Sequence, residues 1–260
     1  MSMHVLIPGA WLGGWAWEGV TEAMRAHGSQ VLPVTLPGLG ARVAEASPEM
    51  DIEGYVMDVV DQIVGQDLDD VVLVGHSFGG AVAAGVADRI PDRLSTVVYV
   101  DSGPMPSGSS YMDLLEGPQV EFIRRIVDER GDGWLIPMPS SEELGTDFPA
   151  SLEGIAEAEL DRMRRMATPQ PLGTWTQPLV RRQSEKTTAV PKVLIATSIP
   201  LALVDQLIAG GHPWFAELSG PEWSFEELAT GHWPMFSRPE DLARLLLGAP
   251  AIVGRPAAGS

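Results

Sequence analysis

The sequence predicts an α/β fold: a mostly parallel central sheet flanked by helices, with a helical cap inserted late in the chain. Three observations lead there. Short apolar runs alternate with segments whose apolar residues recur at spacings of three and four, which is the rhythm of βα units. Residues 70–74 run almost continuously through β-branched and aliphatic side chains, as a strand buried on both faces does. Between 103 and 190 the rhythm breaks, and helical candidates follow one another with no strand-like run between them.

In chain order, residues 4–7 and 30–36 read as strands. A helical stripe begins at Ile52 and continues through Tyr55, Val56, Val59, Val60, Ile63 and Val64. After the apolar strand at 70–74, residues 81–87 form a small-residue helix that can pack closely on a sheet. Residues 96–100 are a further buried strand, ending at Asp101-Ser102-Gly103-Pro104. In the irregular segment the helical candidates are 118–130 and 151–167. Residues 192–197 and 223–228 read as the last two strands, and 238–247 as the closing helix with Pro239 in its first turn. The expected organisation is a core of 1–102 and 191–250, a cap of 103–190, and a loose Gly/Pro/Ala-rich tail at 251–260.

A chain of 260 residues with 45% hydrophobic content can bury one sizeable core. Its 17 basic and 35 acidic residues give a net charge of −18, a field that repels nucleic-acid backbones and anionic membrane surfaces. Neither is expected as a partner. Cysteine is absent, so disulfides, thiolate catalysis and Cys-ligated zinc are excluded. No apolar run is long enough to span a bilayer, and the N-terminus lacks the pattern of a signal peptide; cytoplasmic residence is the default expectation. No His/Asp/Glu set has metal-ligand spacing, and Gly38-Leu39-Gly40 lacks the third glycine of a dinucleotide fingerprint. The arginines at 124, 125, 162, 164, 165, 181 and 182 are interleaved with acids and read as an ion-paired, solvated face.

The chemical signal is Gly75-His76-Ser77-Phe78-Gly79, a G-x-S-x-G between a buried strand and a small-residue helix. That context holds a serine on a sharp turn beyond the sheet edge. The following helix N-terminus then aims N–H groups at a developing oxyanion. Ser77 is therefore the candidate nucleophile and needs a base. Of the five histidines, His4 opens a strand, His27 ends a helix, and His76 reads as a packing and hydrogen-bonding residue. His232 lies in a loop directly after the last strand, at the sheet end where Ser77 stands, and is the candidate base. The Phe78 N–H and the Ala10 N–H, in the Pro8-Gly9-Ala10-Trp11 loop after the first strand, are the candidate oxyanion donors. Trp11, Met105 and Trp233 adjoin these loops, and with Phe78 they predict an apolar, aromatic-friendly pocket.

Together with Gly13-Gly14-Trp15-Ala16-Trp17, Leu36-Pro37-Gly38-Leu39-Gly40 and Gly231-His232, these motifs resemble the α/β-hydrolase superfamily. More narrowly, they are similar to the small serine esterases related to plant hydroxynitrile lyases and salicylate-type methylesterases. The resemblance covers about 3–102 and 190–247 and implies a parallel-rich sheet, a helical cap, and neither metal nor organic cofactor. Pro8 departs from it, since relatives carry His before the Gly. The lyase activity is not implied: the Lys after the catalytic His and the Thr beside the oxyanion loop are replaced here by Trp233 and Gly9.

The third triad member is contested. In this fold the acid usually follows the penultimate strand, but Ser198-Ile199-Pro200-Leu201 contains no carboxylate. Asp205 is the nearest acid beyond, within an apparent helix that carries it away. Asp101 follows the strand at 96–100, at the sheet end where Ser77 and His232 meet, and is preferred. The expected function is hydrolysis of a carboxylic ester or lactone with an apolar or aromatic part, through an acyl-enzyme. Alternatives are an acyltransferase or cyclase-type tailoring enzyme, or a non-catalytic small-molecule receptor on the same fold. The oligomeric state is not readable.

Overall fold

The computed structural model describes residues 2–148, 150–212 and 215–252. Six strands form one parallel sheet: β1 (Met3–Ile7), β2 (Gln30–Pro33), β3 (Val71–His76), β4 (Leu94–Val100), and, after the intervening segment, β7 (Lys192–Ala196) and β8 (Trp223–Glu227). Their order is β2-β1-β3-β4-β7-β8. The order reverses direction between β1 and β3, so the loops after these two strands flank a switch point, where open α/β sheets place their ligand crevice. Register carries the site: Ile7 is opposite Gly75, His76 is opposite Val100, and Ile195 is opposite Val100.

Side-chain alternation along the strands feeds two apolar layers. On one face Val5, Leu73, Val97 and Tyr99 pack with Tyr55, Val56 and Val59 of helix α2 (Ile52–Gly65) and with helix α3 (Phe78–Arg89). On the other, Leu6, Val72, Val74 and Val98 pack with Trp17, with Val20 and Met24 of α1 (Glu18–Ala26), and with Leu242 and Leu246 of α11 (Pro239–Ile252). Because both faces are covered, β3 is buried along its whole length.

Between β4 and β7 the chain forms α4 (Gly117–Arg130), α5 (Ser141–Thr146), α6 (Glu157–Met166), α7 (Gly173–Thr176) and α8 (Glu185–Ala189). It also forms an antiparallel ribbon, β5 (Leu135–Ile136) with β6 (Gln170–Pro171). The sequence gives no sign of this ribbon, because two-residue strands show no periodicity. Three further differences follow from packing. The second helical candidate begins at Glu157 rather than 151. α11 runs on through 248–252, past the expected helix end at 247 and into the first two residues of the expected tail, since Ala249 extends the buried Leu242–Leu246 face; residues 253–260 of the expected tail lie outside the described residues. Arg181 is buried rather than solvated: its guanidinium grips both carboxylate oxygens of Glu217 at 2.9 and 3.0 Å and donates to the Met105 carbonyl at 2.8 Å. Two further α-helices are α9 (Leu201–Ala209) between β7 and β8, and α10 (Pro234–Ser237) after the His232 loop. No described helix is long and apolar enough to cross a membrane.

Candidate active site

Ser77 stands between β3 and α3 with φ 51° and ψ −123°, a conformation that side chains rarely adopt and that pushes its hydroxyl past the sheet edge. The glycines on either side make the turn possible. A Cβ on Gly75 would lie 2.5 Å from the Gly79 carbonyl oxygen, and one on Gly79 would lie 2.5 Å from the Pro8 oxygen. Any larger residue at either position would push the strand, the helix and the loop after β1 apart. The turn is closed by the Ser77 N–H to Val100 O at 3.2 Å and by the Ser102 hydroxyl to Ser77 O at 2.6 Å.

His232 Nε2 lies 2.9 Å from Ser77 Oγ, and His232 Nδ1 lies 2.6 Å from Asp101 Oδ2. A carboxylate can only accept, so Nδ1 carries the proton and Nε2 is left to accept from the serine hydroxyl. The backbone of the His232 loop is fixed on both sides. The His232 N–H donates to Ser151 O at 2.7 Å, and the His232 carbonyl accepts from His76 Nε2 at 2.7 Å. His76 is wholly buried; burial, followed by the nearby His232 ring, depresses its pKa to about 3, so it is a neutral donor.

Asp101 directly follows β4 at φ 45°. Burial alone would raise its pKa, but the hydrogen bond and charge attraction of the His232 ring, joined by the Ser198 hydrogen bond, outweigh burial and hold the carboxyl well below the usual range. Oδ1 accepts the N–H groups of Thr197 and Ser198 at 3.1 and 3.0 Å, and Oδ2 also accepts the Ser198 hydroxyl at 2.5 Å. The residues after β7, which hold no carboxylate, thus serve as a donor cradle for Asp101. Asp205 lies on α9 with its side chain exposed, as its helical surroundings predict.

Ser77 and His232 border two cavities. One, of about 300 Å³, is walled mainly by Ala81, Met105, Leu194, Val204, Phe215 and Leu218, with Ser102, Tyr111 and His212 as polar members outside the Ser77–His232–Asp101 chain. The other is a cleft of about 10 Å³ between Ala10, Trp11, Phe148, Trp175 and Trp233. The predicted pocket residues therefore divide: Met105 faces the large chamber, and Trp11 and Trp233 the narrow cleft. The Phe78 ring belongs to neither. It is buried behind the site, stacked on Trp175 at 6.1 Å and edge-on to Tyr55 at 6.1 Å, so that Phe78 meets the site through its backbone at the start of α3.

Sequence reasoning missed Tyr111, Gln170 and Ser198. Tyr111 borders both cavities; burial raises its phenol pKa, a hydrogen bond with Ser77 opposes the rise, and the group stays neutral. Gln170 accepts the Trp11 N–H across 159 positions of sequence, a contact with no local signal. Ser198 had a usable signal: a hydroxyl stands where the fold usually has its acid.

The comparisons with known proteins agree with this architecture. A model of the alpha/beta hydrolase family matches residues 5–245. A carbendazim hydrolyzing esterase of Nocardioides sp. (strain SG-4G) is 31% identical over 253 residues, covering 95% of this chain and 98% of its own length. Methylesterase 8 of Arabidopsis thaliana is 27% identical over 254 residues, covering 95% and 89%. Among solved structures, an extracellular α/β-hydrolase from a Paenibacillus species, described as sharing structural and functional homology with tobacco salicylic acid binding protein 2, superposes with a TM-score of 0.77. It is 26% identical, and the match covers 98% of this chain and 100% of that one.

Proposed function

The chain belongs to the α/β-hydrolase family, and on that premise we propose that it is a serine esterase acting on carboxylic esters with a bulky apolar part. Relatives that are esterases and methylesterases support ester hydrolysis. The observation that carries the serine mechanism is the chain Ser77 Oγ, His232 Nε2, His232 Nδ1, Asp101 Oδ2, with its 2.9 and 2.6 Å contacts at the edge of an apolar chamber.

In this reading His232 takes the Ser77 proton as Oγ attacks the ester carbonyl carbon. The carbonyl π electrons move onto oxygen, where the Ala10 and Phe78 N–H groups receive them. The tetrahedral species collapses, His232 protonates the departing alkoxide, and the acyl group remains on Ser77. Water, deprotonated by His232, then releases the acid and restores the serine. Asp101 stays ionised throughout, holding the imidazole tautomer and stabilising the imidazolium. Its depressed pKa suits that role.

The segment 103–190 acts as the cap over this site, contributing Met105, Tyr111 and Leu114 to the chamber and Phe148 and Trp175 to the cleft. The chamber takes the bulky apolar portion of the substrate. The cleft, closed by aromatic rings, takes a group no larger than a methyl, which fits the methyl esters that relatives are named for. The test is a rapid-quench assay with the methyl ester of a bulky apolar acid. A burst of methanol equal to the enzyme concentration is expected, followed by slower steady turnover. Binding of such esters without any turnover would instead indicate a receptor.

A further inference from the structure

We infer that Gln170, from the intervening segment, is a positioning residue for the oxyanion loop, so that the ribbon of β5 and β6 is part of the catalytic apparatus. This rests on the proposed roles of Ser77 as nucleophile and Ala10 as oxyanion donor.

The loop after β1 must hold an N–H group at a fixed place opposite Ser77, and its own conformation is unfavourable. Trp11, the residue after Ala10, has φ 65°, in the left-handed region where an indole side chain gains no local compensation. Such a conformation persists only when its surroundings over-determine it. Here three contacts to the intervening segment do so. The Trp11 N–H donates to Gln170 Oε1 at 3.1 Å, the Trp11 indole N–H donates to Ile136 O at 3.1 Å, and the Trp11 carbonyl accepts from the Thr168 N–H at 3.0 Å. Ile136 and Gln170 are paired residues of the β5–β6 ribbon, so two of these contacts come from one rigid unit.

Gln170 is itself fixed. It has no solvent exposure, and its amide nitrogen donates to Thr174 Oγ1 at 2.9 Å, which in turn donates to Pro171 O at 2.7 Å. A fully buried amide, with its oxygen on the loop and its nitrogen anchored on its own segment, sets the orientation of the Ala10–Trp11 peptide. Through that peptide it sets the direction of the preceding Ala10 N–H. Pro8, which lacks a side-chain hydrogen-bonding group, gives the loop no such support from within.

The test uses Gln170→Leu, which removes the acceptor, and Thr174→Val, which keeps the acceptor but frees its anchor. Both are compared with the parent in ester turnover and in inhibition by an aryl trifluoromethyl ketone, whose serine adduct carries an oxyanion. Misplacing a single oxyanion donor costs on the order of 10²-fold in kcat. Gln170→Leu is therefore expected to lower kcat by about 100-fold with KM changed less than about threefold. Ketone affinity should weaken in parallel, and the pH profile, which reports the His232–Asp101 pair, should keep its midpoint. Thr174→Val should show the same pattern at about 3- to 10-fold. Should Gln170→Leu not fold, Thr174→Val decides alone. Parent-like kcat and ketone affinity in the folded variants, or a loss confined to KM, overturns the inference. Ester turnover surviving in Ser77→Ala would instead overturn the underlying nucleophile assignment.

Discussion

Ser198 Oγ lies 2.5 Å from Asp101 Oδ2, the same carboxylate oxygen that faces His232 Nδ1 at 2.6 Å. The loop after β7 thus contributes to the charge behind His232 through donors that keep Asp101 ionised. Replacing Ser198 by Ala removes a hydrogen bond to a buried charged acceptor but leaves the Thr197 and Ser198 N–H contacts in place. A loss of about 10- to 20-fold in kcat is expected, at the lower end of what one hydrogen bond to a charged group provides. Steady-state kinetics on a methyl ester of a bulky apolar acid measures it; unchanged kcat would make Ser198 a bystander.

The acid itself is tested by Asp101→Asn beside Asp205→Asn. The first should lower kcat by about 10³- to 10⁴-fold with the fold intact, because an asparagine no longer enforces the Nδ1–H tautomer. The second, on the exposed face of α9, should leave activity within twofold of the parent (surface changes away from the site have effects near zero). The reverse ranking would move the acid to α9.

Chamber size predicts a dependence on acyl length. Methyl esters of progressively larger apolar acids should gain in kcat/KM while the cavity of about 300 Å³ fills. Each added buried CH₂ contributes about 0.8 kcal/mol, roughly fourfold, until the walls are reached. A rate highest for methyl acetate and falling from there would contradict the assignment of the chamber to the acyl group.

Buried His76 predicts acid sensitivity. Its folded-state pKa is depressed to about 3, mainly by burial, whereas in the unfolded chain it titrates near its ordinary value of 6.5. Between these values the unfolded state binds a proton that the native state does not. The contribution of His76 to stability is therefore flat above pH 6.5 and falls as pH drops toward 3, by up to about 1.4 kcal/mol per pH unit. Asp101, also depressed, adds a loss of the same sign at lower pH, below the ordinary carboxylate range. Urea titrations of the parent and His76→Gln at pH 7, 6, 5 and 4 should show the shallower fall in the variant. Equal slopes would mean that His76 is protonated in the folded state.

The legible parts of this molecule were those whose signals are local. The β-branched run ending at Val74 and the G-x-S-x-G after it mark β3 and the Ser77 turn, and a histidine directly after the last strand falls at the same sheet end. The position of Asp101 was readable for a related reason: a residue directly after a parallel strand emerges beside its neighbours' loops, and β4 adjoins β3. Contacts made across the chain were not readable. Gln170 reaches Trp11 from a two-residue strand that includes Pro171, a pattern that resembles a loop. Tyr111 reaches the site from a stretch without helical or strand period. Residues 251 and 252 read as tail, yet the apolar repeat Leu242–Leu246–Ala249 carries α11 into them.

The most direct measurement for the proposed mechanism is intact-protein mass spectrometry after exposure to a fluorophosphonate, run on the parent, Ser77→Ala and His232→Ala. The phosphonyl group should add once to the parent and map to the peptide carrying Ser77. The adduct should be absent from Ser77→Ala and form at least 10³-fold more slowly in His232→Ala, as expected for a nucleophile that depends on its base. Stoichiometric labelling of Ser77→Ala, or a parent that stays unmodified while still hydrolysing esters, would contradict Ser77 as the nucleophile.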